Sequence, residues 1–272
     1  MLLTIDTGGT KTLVASFDST GKPGPEHRFA TPVDPQDYVA HLEEVIHEHY
    51  DASQITAIVI AIPGRIKNNI VEWCGNLPWE RFDVAKELHK SLSCPIWVEN
   101  DANLAGLAEV KALRQQPRHG LYITISTGIG TGLIVDGAIH PALSATEAGH
   151  MLLTHKGKVR EWEDFASGSA IKKTYRRYAR DITSKRAWRD IAQRMSVGFV
   201  ALIPLLQPEV IIIGGSIGTY FERYSTYLHA ILKEKLPPHI TVPEIRQAVH
   251  PEEAVIYGCY YYGTTQLDLA KH

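Results

Sequence analysis

Residues 2–17 have the sequence LLTIDTGGTKTLVASF, in which a glycine-rich turn separates two apolar segments. This pattern predicts a β-hairpin with strands over residues 2–6 and 12–17. Residues 120–137, GLYITISTGIGTGLIVDG, repeat it 120 residues later. Here we expect strands over residues 121–126 and 133–135, a turn over residues 127–132, and a tight turn at Asp136-Gly137.

A second pair of segments follows the two hairpins. The apolar residues 57–62 lead into Pro63-Gly64, and residues 210–213 lead into Gly214-Gly215-Ser216. Two strand-and-glycine units in each half predict a duplicated α/β fold with two lobes that face each other across a central cleft. Between the strands we expect helices opened by Asp34-Pro35, and over residues 100–113, 188–206 and 251–269.

Composition excludes several classes of protein. At 272 residues the chain corresponds to about 1.8 average domains, and a net charge of −2 gives no sign of nucleic-acid or membrane-surface binding. The cysteines Cys74, Cys94 and Cys259 lie far apart in the sequence, so we expect neither a disulfide framework nor a zinc knuckle. The absence of a disulfide framework points to the reducing cytoplasm as the location. Neither a membrane span nor a signal peptide is expected.

Both glycine turns have the composition of a phosphate cradle. Glycines let several backbone N–H groups approach one anion, and hydroxyl residues flank each turn. One such turn alone would indicate an ordinary hairpin, whereas two matched turns favour phosphate binding. Asp6, at the end of the first strand, suits hydrated Mg²⁺ beside a phosphate, or else stabilises the turn.

Polar residues follow the apolar strand near residue 98. The run Glu99-Asn100-Asp101-Ala102-Asn103 places a carboxylate where it could accept a proton from a sugar hydroxyl, with helix capping as the alternative. Glu147 and His150 are spaced to share one face of a helical turn. Glu147 and His150 could therefore both contact one polyol, and Glu163 follows thirteen residues after His150. Each of the three residues alone would be more typical of the surface.

A basic segment runs from residue 172 to residue 189. We expect it to be a solvated helix face, with polyanion binding as the alternative. Its basic residues are Lys172, Lys173, Arg176, Arg177, Arg180, Lys185, Arg186 and Arg189.

Five motifs in order resemble those of the ROK family of sugar kinases and repressors: Asp6–Lys11, Val98–Asn103, Ser126–Gly132, Glu147–His150 and Pro208–Ser216. The resemblance implies the actin-like ATPase (ribonuclease H-like) fold. It also implies a small N-terminal α/β lobe of residues 1–115 plus 254–272 and a larger lobe of residues 116–253. The implied activity is ATP- and Mg²⁺-dependent phosphorylation of a hexose or N-acetylhexosamine.

The resemblance also implies roles for individual residues. Asp101 would be the base that deprotonates the sugar hydroxyl, and Asp6 would hold Mg²⁺. The residues matching sugar-contacting positions are Gly64, Asn76, Asn100, Asp101, Glu147, His150 and Glu163. Those matching phosphate- or nucleotide-contacting positions are Gly8, Gly9, Thr10 and Lys11 in the first turn, Ser126, Thr127, Gly128 and Gly130 in the second, and Gly214 and Gly215 beside the adenosine.

Two departures from the family pattern matter. Many ROK proteins bind a structural zinc through the histidine matching His150 and a downstream cysteine cluster, which this chain lacks, so we expect no zinc. The residues Trp162-Glu163-Asp164-Phe165-Ala166 instead resemble a stretch of polyphosphate-using glucokinases. The repressors also carry an N-terminal DNA-binding domain, whereas this sequence reaches its first turn by residue 7, and no DNA binding is expected.

We therefore expect a cytoplasmic hexose kinase that uses ATP, with glucose as the first substrate to test. Three alternatives stay open: a polyphosphate-using glucokinase or glucomannokinase, an N-acetylhexosamine kinase, and a non-catalytic sugar-binding sensor. The resemblance leaves a homodimer open as well.

Overall fold

A computed structural model of the chain describes residues 1–250 and 253–271. The chain forms two compact units. The first contains Met1–Ala108, Pro141–Ala145 and Glu253–His272, and the second contains Glu109–His140 and Thr146–Glu252. The lobe boundaries expected from the sequence, at residues 115 and 253, stay a prediction.

The first unit is built on a mixed sheet with the strand order β3-β2-β1-β4-β8. Strand β1 pairs antiparallel with β2 and parallel with β4, which pairs parallel with β8. Strands β5, β6 and β7 form a separate antiparallel sheet. The strands are β1 (Leu2–Thr7), β2 (Lys11–Phe17), β3 (Pro23–Ala30), β4 (Ala57–Ile62), β5 (Arg65–Lys67), β6 (Ile70–Trp73), β7 (Glu80–Phe82) and β8 (Ile96–Asn100).

Three helices alternate with these strands in the chain: α1 (Pro35–His49) after β3, α2 (Val84–Leu88) after β7 and α3 (Asp101–Lys111) after β8. The predicted start of α1 is confirmed, because the Asp34 carboxylate accepts the N–H groups of Gln36 at 2.8 Å and Asp37 at 3.2 Å, and Pro35 begins the helix. The apolar face of α1 packs in one core with β1 and β4. All six residues of β4 are buried, as expected for a central parallel strand.

The second unit repeats this design with the strand order β11-β10-β9-β14-β15. Strand β9 pairs antiparallel with β10 and parallel with β14, as β1 does with β2 and β4. Its strands are β9 (His119–Ile125), β10 (Ile129–Val135), β11 (Ala138–Ile139), β12 (Leu152–His155), β13 (Lys158–Glu161), β14 (Val210–Gly214) and β15 (Glu244–Gln247). The duplication inferred from the two hairpins is therefore confirmed within the sheets.

The helices of the second unit are α4 (Glu163–Ala166), α5 (Gly168–Tyr175), α6 (Lys185–Leu206), α7 (Gly215–Gly218) and α8 (Ser225–Lys235). One turn differs from the expectation. Residues 129–132 belong to β10, because Ile129 already pairs with Ile125, and the second glycine turn is shorter than predicted. The tight turn at Asp136-Gly137 is confirmed, with φ of 49° and 74°.

The last helix, α9 (Ala254–Leu269), belongs to the first unit and contacts β1 and β4. Its Gly263 lies against Leu2 and Val59, whereas Leu3 and Ile5 belong to the core that contains α1. Alternate residues of β1 thus contact different helices. The predicted helix began at residue 251, but residues 251 and 252 lie outside the described part of the chain.

Among residues 1–250 and 253–271, no helix has both the length and the apolar character that crossing a bilayer requires.

Candidate active site

The first glycine turn is closed and braced by the first unit. The Gly8 N–H donates to the Lys11 carbonyl at 2.9 Å, and the Thr31 hydroxyl donates to the Gly8 carbonyl at 2.8 Å. Asn76 lies against this turn, since a Cβ on Gly9 would come within 2.8 Å of the Asn76 Cβ. The structure therefore brings together one predicted phosphate-binding residue and one predicted sugar-binding residue.

Asp6 lies near the end of β1, directly before this turn. Burial, and to a smaller extent the negative charge of Asp101, raise the pKa of its carboxyl group to about 7, with Arg28 partly offsetting both effects. Asp6 is followed by Thr7, whose hydroxyl bonds with that of Tyr38 at 2.7 Å. A cation bound beside this carboxyl group would favour its charged form and lower its pKa.

Asp101 is the first residue of α3 and directly follows β8. Its Oδ1 accepts the Ala102 N–H at 2.8 Å. Burial raises the pKa of the Asp101 carboxyl group, and hydrogen bonds from the backbone oppose that rise. A carboxylate with raised proton affinity at the end of a strand suits a general base.

Asn100 uses both ends of its amide. Its Oδ1 accepts the Asn103 N–H at 3.1 Å, which caps α3, and its Nδ2 donates to the Gly64 carbonyl at 2.8 Å. Asn100 therefore caps α3, which is the alternative role that the sequence left open for this polar run. Gly64 adopts φ of +116°, and a Cβ there would collide with the backbone of Trp73 and Cys74.

A buried network lies behind Asp101, and the sequence did not assign it a role. The Glu99 carboxylate accepts the Asn100 N–H at 2.8 Å and the Asn103 Nδ2 at 2.9 Å, and burial raises the pKa of Glu99. The Asn103 amide also donates to the Ser144 carbonyl at 2.7 Å. The polar run 99–103 indicates part of this network in the sequence. Ser144, however, lies 41 residues from Asn103, the residue that it bonds with.

In the second unit, Glu163 is joined to the second glycine turn. Its Oε2 accepts the Ile129 N–H at 3.0 Å, and a Cβ on Gly128 would come within 2.6 Å of the same oxygen. The Ser126 N–H donates to the Gly128 carbonyl at 2.9 Å, and the Gly168 N–H donates to the Ser126 carbonyl at 2.7 Å. The predicted phosphate turn and a predicted sugar-binding carboxylate are thus in contact.

Glu147 and His150 lie at the two ends of a single 3₁₀ turn, in which the His150 N–H donates to the Glu147 carbonyl at 3.1 Å. His150 Nδ1 lies 2.9 Å from Glu161 Oε2, and this hydrogen bond raises the pKa of His150. Glu161 was not predicted as a site residue. Potential ligand atoms of His150, Glu161 and Glu163 lie within 4.8 Å of one another, and cysteine is absent from this group.

The remaining predicted residues of the second unit lie near strand ends. Thr127 is exposed in the turn, and Gly130 lies in β10 opposite Thr124. Gly214 ends β14, and Gly215, with φ of +74°, packs so closely that a Cβ would come within 2.6 Å of the Ile125 carbonyl. Close packing alone accounts for glycine at position 215.

Solved structures similar to this chain define its class. A ROK family glucokinase from Streptomyces griseus, in complex with glucose and AMPPNP, matches with a TM-score of 0.76 and 21% identity over 94% of this chain and 97% of that one. The inorganic polyphosphate/ATP-glucomannokinase from Arthrobacter sp. strain KM matches with a TM-score of 0.73 and 26% identity over 97% and 98% of the two chains. The predicted α/β class and actin-like ATPase fold are confirmed.

The ROK family model matches residues 2–263, so the chain belongs to the ROK family. Its relatives include the glucokinase of Streptomyces coelicolor, which is 25% identical over 78% of this chain and 81% of that protein. The N-acetyl-D-glucosamine kinase of Mannheimia succiniciproducens is 26% identical over 95% and 97% of the two chains. These relatives support a sugar kinase, and the family also includes transcriptional regulators.

Proposed function

We propose that this protein transfers the γ-phosphoryl group of ATP to the 6-hydroxyl of a hexose, with glucose as the first candidate and Asp101 as the general base. One observation carries the proposal: the Asp101 carboxyl group lies at the junction of β8 and α3, where burial raises its pKa. A base with raised proton affinity can take the hydroxyl proton as the oxygen attacks.

The first unit supplies part of the binding residues in this proposal. Gly64 and Asn100 are hydrogen-bonded to each other, and Asn76 lies against Gly9. These residues and Asp101 would orient the sugar, while the backbone of the turn Gly8, Gly9, Thr10 and Lys11 would approach the β- and γ-phosphates. The contact between Asn76 and the turn supports a sugar hydroxyl and a phosphate binding close together.

The second unit supplies the other binding residues of this proposal. Glu163 fixes the turn formed by Ser126, Thr127 and Gly128 through the Ile129 N–H, and this turn, with Gly130, would bind phosphate. We propose that Glu147, His150 and Glu163 contact sugar hydroxyls. Glu161 holds the His150 ring through Nδ1 at 2.9 Å, which orients the imidazole.

The residues of the first unit fit a magnesium ion. Asp6 offers a carboxylate whose pKa of about 7 reflects burial and the negative charge of Asp101, and a divalent cation would relieve both effects. When bound with ATP, Mg²⁺ supplies charge neutralisation at the β- and γ-phosphates. Asp6 would hold it through water or phosphate oxygens.

The chain's own residues then perform the transfer mainly by positioning. Asn100 and Gly64 restrain the sugar beside Asp101, and Asp101 receives the proton of the attacking hydroxyl. Glycine-turn N–H groups stabilise the charge of the transferring group. Such orientation and electrostatic stabilisation account for most of the catalysis of phosphoryl transfer.

Polyphosphate is a second candidate donor. Its support is the likeness to the Arthrobacter polyphosphate/ATP-glucomannokinase and the basic segment 172–189, whose Lys and Arg residues are all exposed. A polyanion requires accessible cations of this kind. The N-acetyl-D-glucosamine kinase relative likewise supports N-acetylhexosamines as a second class of acceptor.

The test is a coupled ADP-release assay of the purified chain with Mg²⁺-ATP over glucose, mannose, fructose, N-acetylglucosamine and N-acetylmannosamine. A sugar kinase gives ADP release that depends on the sugar and yields a sugar phosphate detectable by mass spectrometry. Parallel reactions with polyphosphate at matched phosphoryl concentration identify the donor. Sugar binding by calorimetry without turnover on any donor would favour the non-catalytic sensor and contradict the proposal.

A further inference from the structure

Two buried hydroxyl groups are paired at the start of the first glycine turn. The Thr7 hydroxyl bonds with the Tyr38 hydroxyl at 2.7 Å, and both residues are fully buried. Thr7 ends β1, and Tyr38 lies near the start of α1. Because Thr7 stands between Asp6 and Gly8 in the chain, this bond restrains the backbone that carries both of them.

The Tyr38 hydroxyl also lies within the electrostatic reach of Asp6. Burial raises the pKa of Tyr38, the bond with Thr7 opposes this rise, and the negative charge of Asp6 adds to it. The phenol therefore stays neutral at physiological pH and is not a proton donor for the reaction. Each hydroxyl has one proton and two lone pairs, so the pair can satisfy each other and act as a fixed link.

The ring of Tyr38 reaches a second part of the proposed site. Its centroid lies 4.8 Å from that of the Trp79 ring, and Trp79 is almost completely buried. The Trp79 carbonyl accepts the Cys74 N–H at 3.1 Å, which closes the loop of residues 74–79. This loop carries Asn76. Tyr38 thus touches both the strand that leads into the phosphate turn and a residue that closes the sugar-binding loop.

We propose that Tyr38 is a positioning residue for phosphoryl transfer, whose hydroxyl fixes Asp6 and the first glycine turn and whose ring fixes the loop that carries Asn76. The inference rests on the proposed kinase function and deepens it, since Tyr38 would hold the residues that bind both substrates while contacting neither substrate. Phosphoryl transfer depends mainly on positioning, so a link between the two binding elements contributes directly to it.

Packing alone does not require either hydroxyl. A phenylalanine ring would pack on Trp79 as well as the ring of Tyr38 does, and a valine would have nearly the shape of Thr7. A buried pair of hydroxyls adds little net stability because each loses its bonds to water on folding. What the pair adds is a fixed orientation, and it adds it at the residue between Asp6 and Gly8.

Tyr50 provides a matched control at the other end of α1. It directly follows the helix, it is buried, and its hydroxyl donates to the carbonyls of Val14 at 3.2 Å and Pro25 at 3.1 Å. Those carbonyls belong to β2 and β3 of the same sheet. Tyr50→Phe therefore removes a buried, bonded phenol hydroxyl from the same unit and leaves the link to Thr7 in place.

The experiment measures, with Mg²⁺, the dissociation constants of ADP, of inorganic tripolyphosphate and of the sugars named above by calorimetry. The proteins are the full chain and its variants Tyr38→Phe, Tyr38→Leu and Tyr50→Phe. Tyr38→Phe should weaken the phosphate ligands about 2- to 12-fold, through loss of one hydrogen bond, and leave sugar affinity within about twofold. Tyr38→Leu also loses the ring and should weaken both kinds of ligand, whereas Tyr50→Phe should weaken neither.

Substitutions of Thr7 test the bond from its other end. Thr7→Val should weaken the phosphate ligands as Tyr38→Phe does, and Thr7→Ser, which keeps the hydroxyl, should bind them as the full chain does. The double variant of Thr7→Val with Tyr38→Phe should be no weaker than either single variant by more than about twofold, because one bond is lost in each case. Losses that multiply in the double variant would show that the two hydroxyls act separately.

Four results would overturn the proposal: unchanged phosphate binding by Tyr38→Phe, an equal loss of sugar binding in that variant, an equal loss in Tyr50→Phe, or multiplied losses in the double variant. Circular dichroism and thermal melts check folding, and the comparison of Thr7→Val with Thr7→Ser carries the test if Tyr38→Phe is unfolded. Phosphate binding that depends on Tyr38 without sugar phosphorylation contradicts the kinase function alone. Sugar phosphorylation with unchanged phosphate binding by Tyr38→Phe contradicts the positioning role alone.

Discussion

The negative charge of Asp101 raises the pKa of Asp6, adding to the larger effect of burial, so that the pKa of Asp6 reaches about 7. Asp6 lies in β1 and Asp101 begins α3, and both residues belong to the first unit. Two half-buried carboxyl groups that repel each other lower the stability of a folded unit, and functional sites commonly contain such arrangements.

Asp101→Asn is expected to lower kcat by about 10²–10⁴-fold while leaving sugar binding measurable. The amide keeps the shape of the side chain but cannot accept the hydroxyl proton. The measurement is sugar binding by calorimetry beside turnover in the coupled assay. Asp268→Asn, an exposed change on α9, is the control and should behave as the unsubstituted chain. A wild-type rate in Asp101→Asn would rule out its role as the base.

Asp6→Asn is expected to stabilise the metal-free protein above pH 7 by about 2–4 kcal/mol while reducing turnover. Because the pKa of Asp6 is raised from 3.8 to about 7 by folding, the folded state binds the extra proton between those values. Stability therefore falls as pH rises from about 4 to 7, and the lost stability is not regained above pH 7. Denaturant titrations from pH 4 to pH 8.5 should show a flatter profile for Asp6→Asn, and parallel profiles would contradict this pKa.

Gly128→Ala is expected to raise the KM for the sugar about 5- to 30-fold with a smaller change in kcat, through loss of one charged hydrogen bond. The added methyl group would meet Glu163 Oε2, displace that carboxylate and break its bond to the Ile129 N–H. Gly157→Ala is the control, because a Cβ there meets nothing within 4 Å, although its φ of +73° costs about 1 kcal/mol of stability. Equal KM values for the two variants would show that Glu163 does not contribute to sugar binding.

Glu109→Ala is expected to lower the free energy of unfolding by about 2–4 kcal/mol. Glu109 is buried and accepts the N–H groups of Val249 at 2.7 Å and His250 at 2.6 Å, which fixes the chain ahead of α9. Glu109→Gln keeps one carbonyl acceptor and should lose about half as much stability. Chemical denaturation measures both, and an effect below about 0.5 kcal/mol for alanine would show that these bonds contribute little.

The purified chain is expected to contain no stoichiometric zinc. His150 is paired with Glu161, and the group that includes Glu163 provides one imidazole and two carboxylates, without the thiolates that structural zinc sites favour. Metal analysis after dialysis measures the content, and a chelator should leave the melting temperature unchanged. About one zinc per chain, lost together with stability on chelation, would contradict the prediction.

Features set by neighbouring residues were predictable from the sequence, and features set by distant ones were not. Asp34 and Pro35 predict the start of α1 because capping depends on residues a few positions apart. Both hairpins are predicted by apolar segments on either side of a glycine-rich turn. The pairing of Ile129 with Ile125 shortened the second turn, since a strand can extend through glycine when its partner is available.

The site shows the same division. Asp6, Asp101 and the glycine turns could be proposed as candidates from the sequence because each motif is contiguous. The Asn103 bond to Ser144 and the Glu161 bond to His150 join residues 41 and 11 positions apart, and no local pattern indicates them. The Tyr38 bond to Thr7 likewise joins residues 31 positions apart.

The return of α9 to the first unit makes the order of synthesis differ from the order of assembly. Strands β1 and β4 leave the ribosome well before the helix that covers Leu2 and Val59, because the whole second unit lies between them in the chain. The nascent N-terminal sheet therefore keeps an apolar surface uncovered while the whole second unit is made, which exposes it to aggregation and to chaperones. The unit that carries Asp101 therefore completes its folding only after α9 has been made.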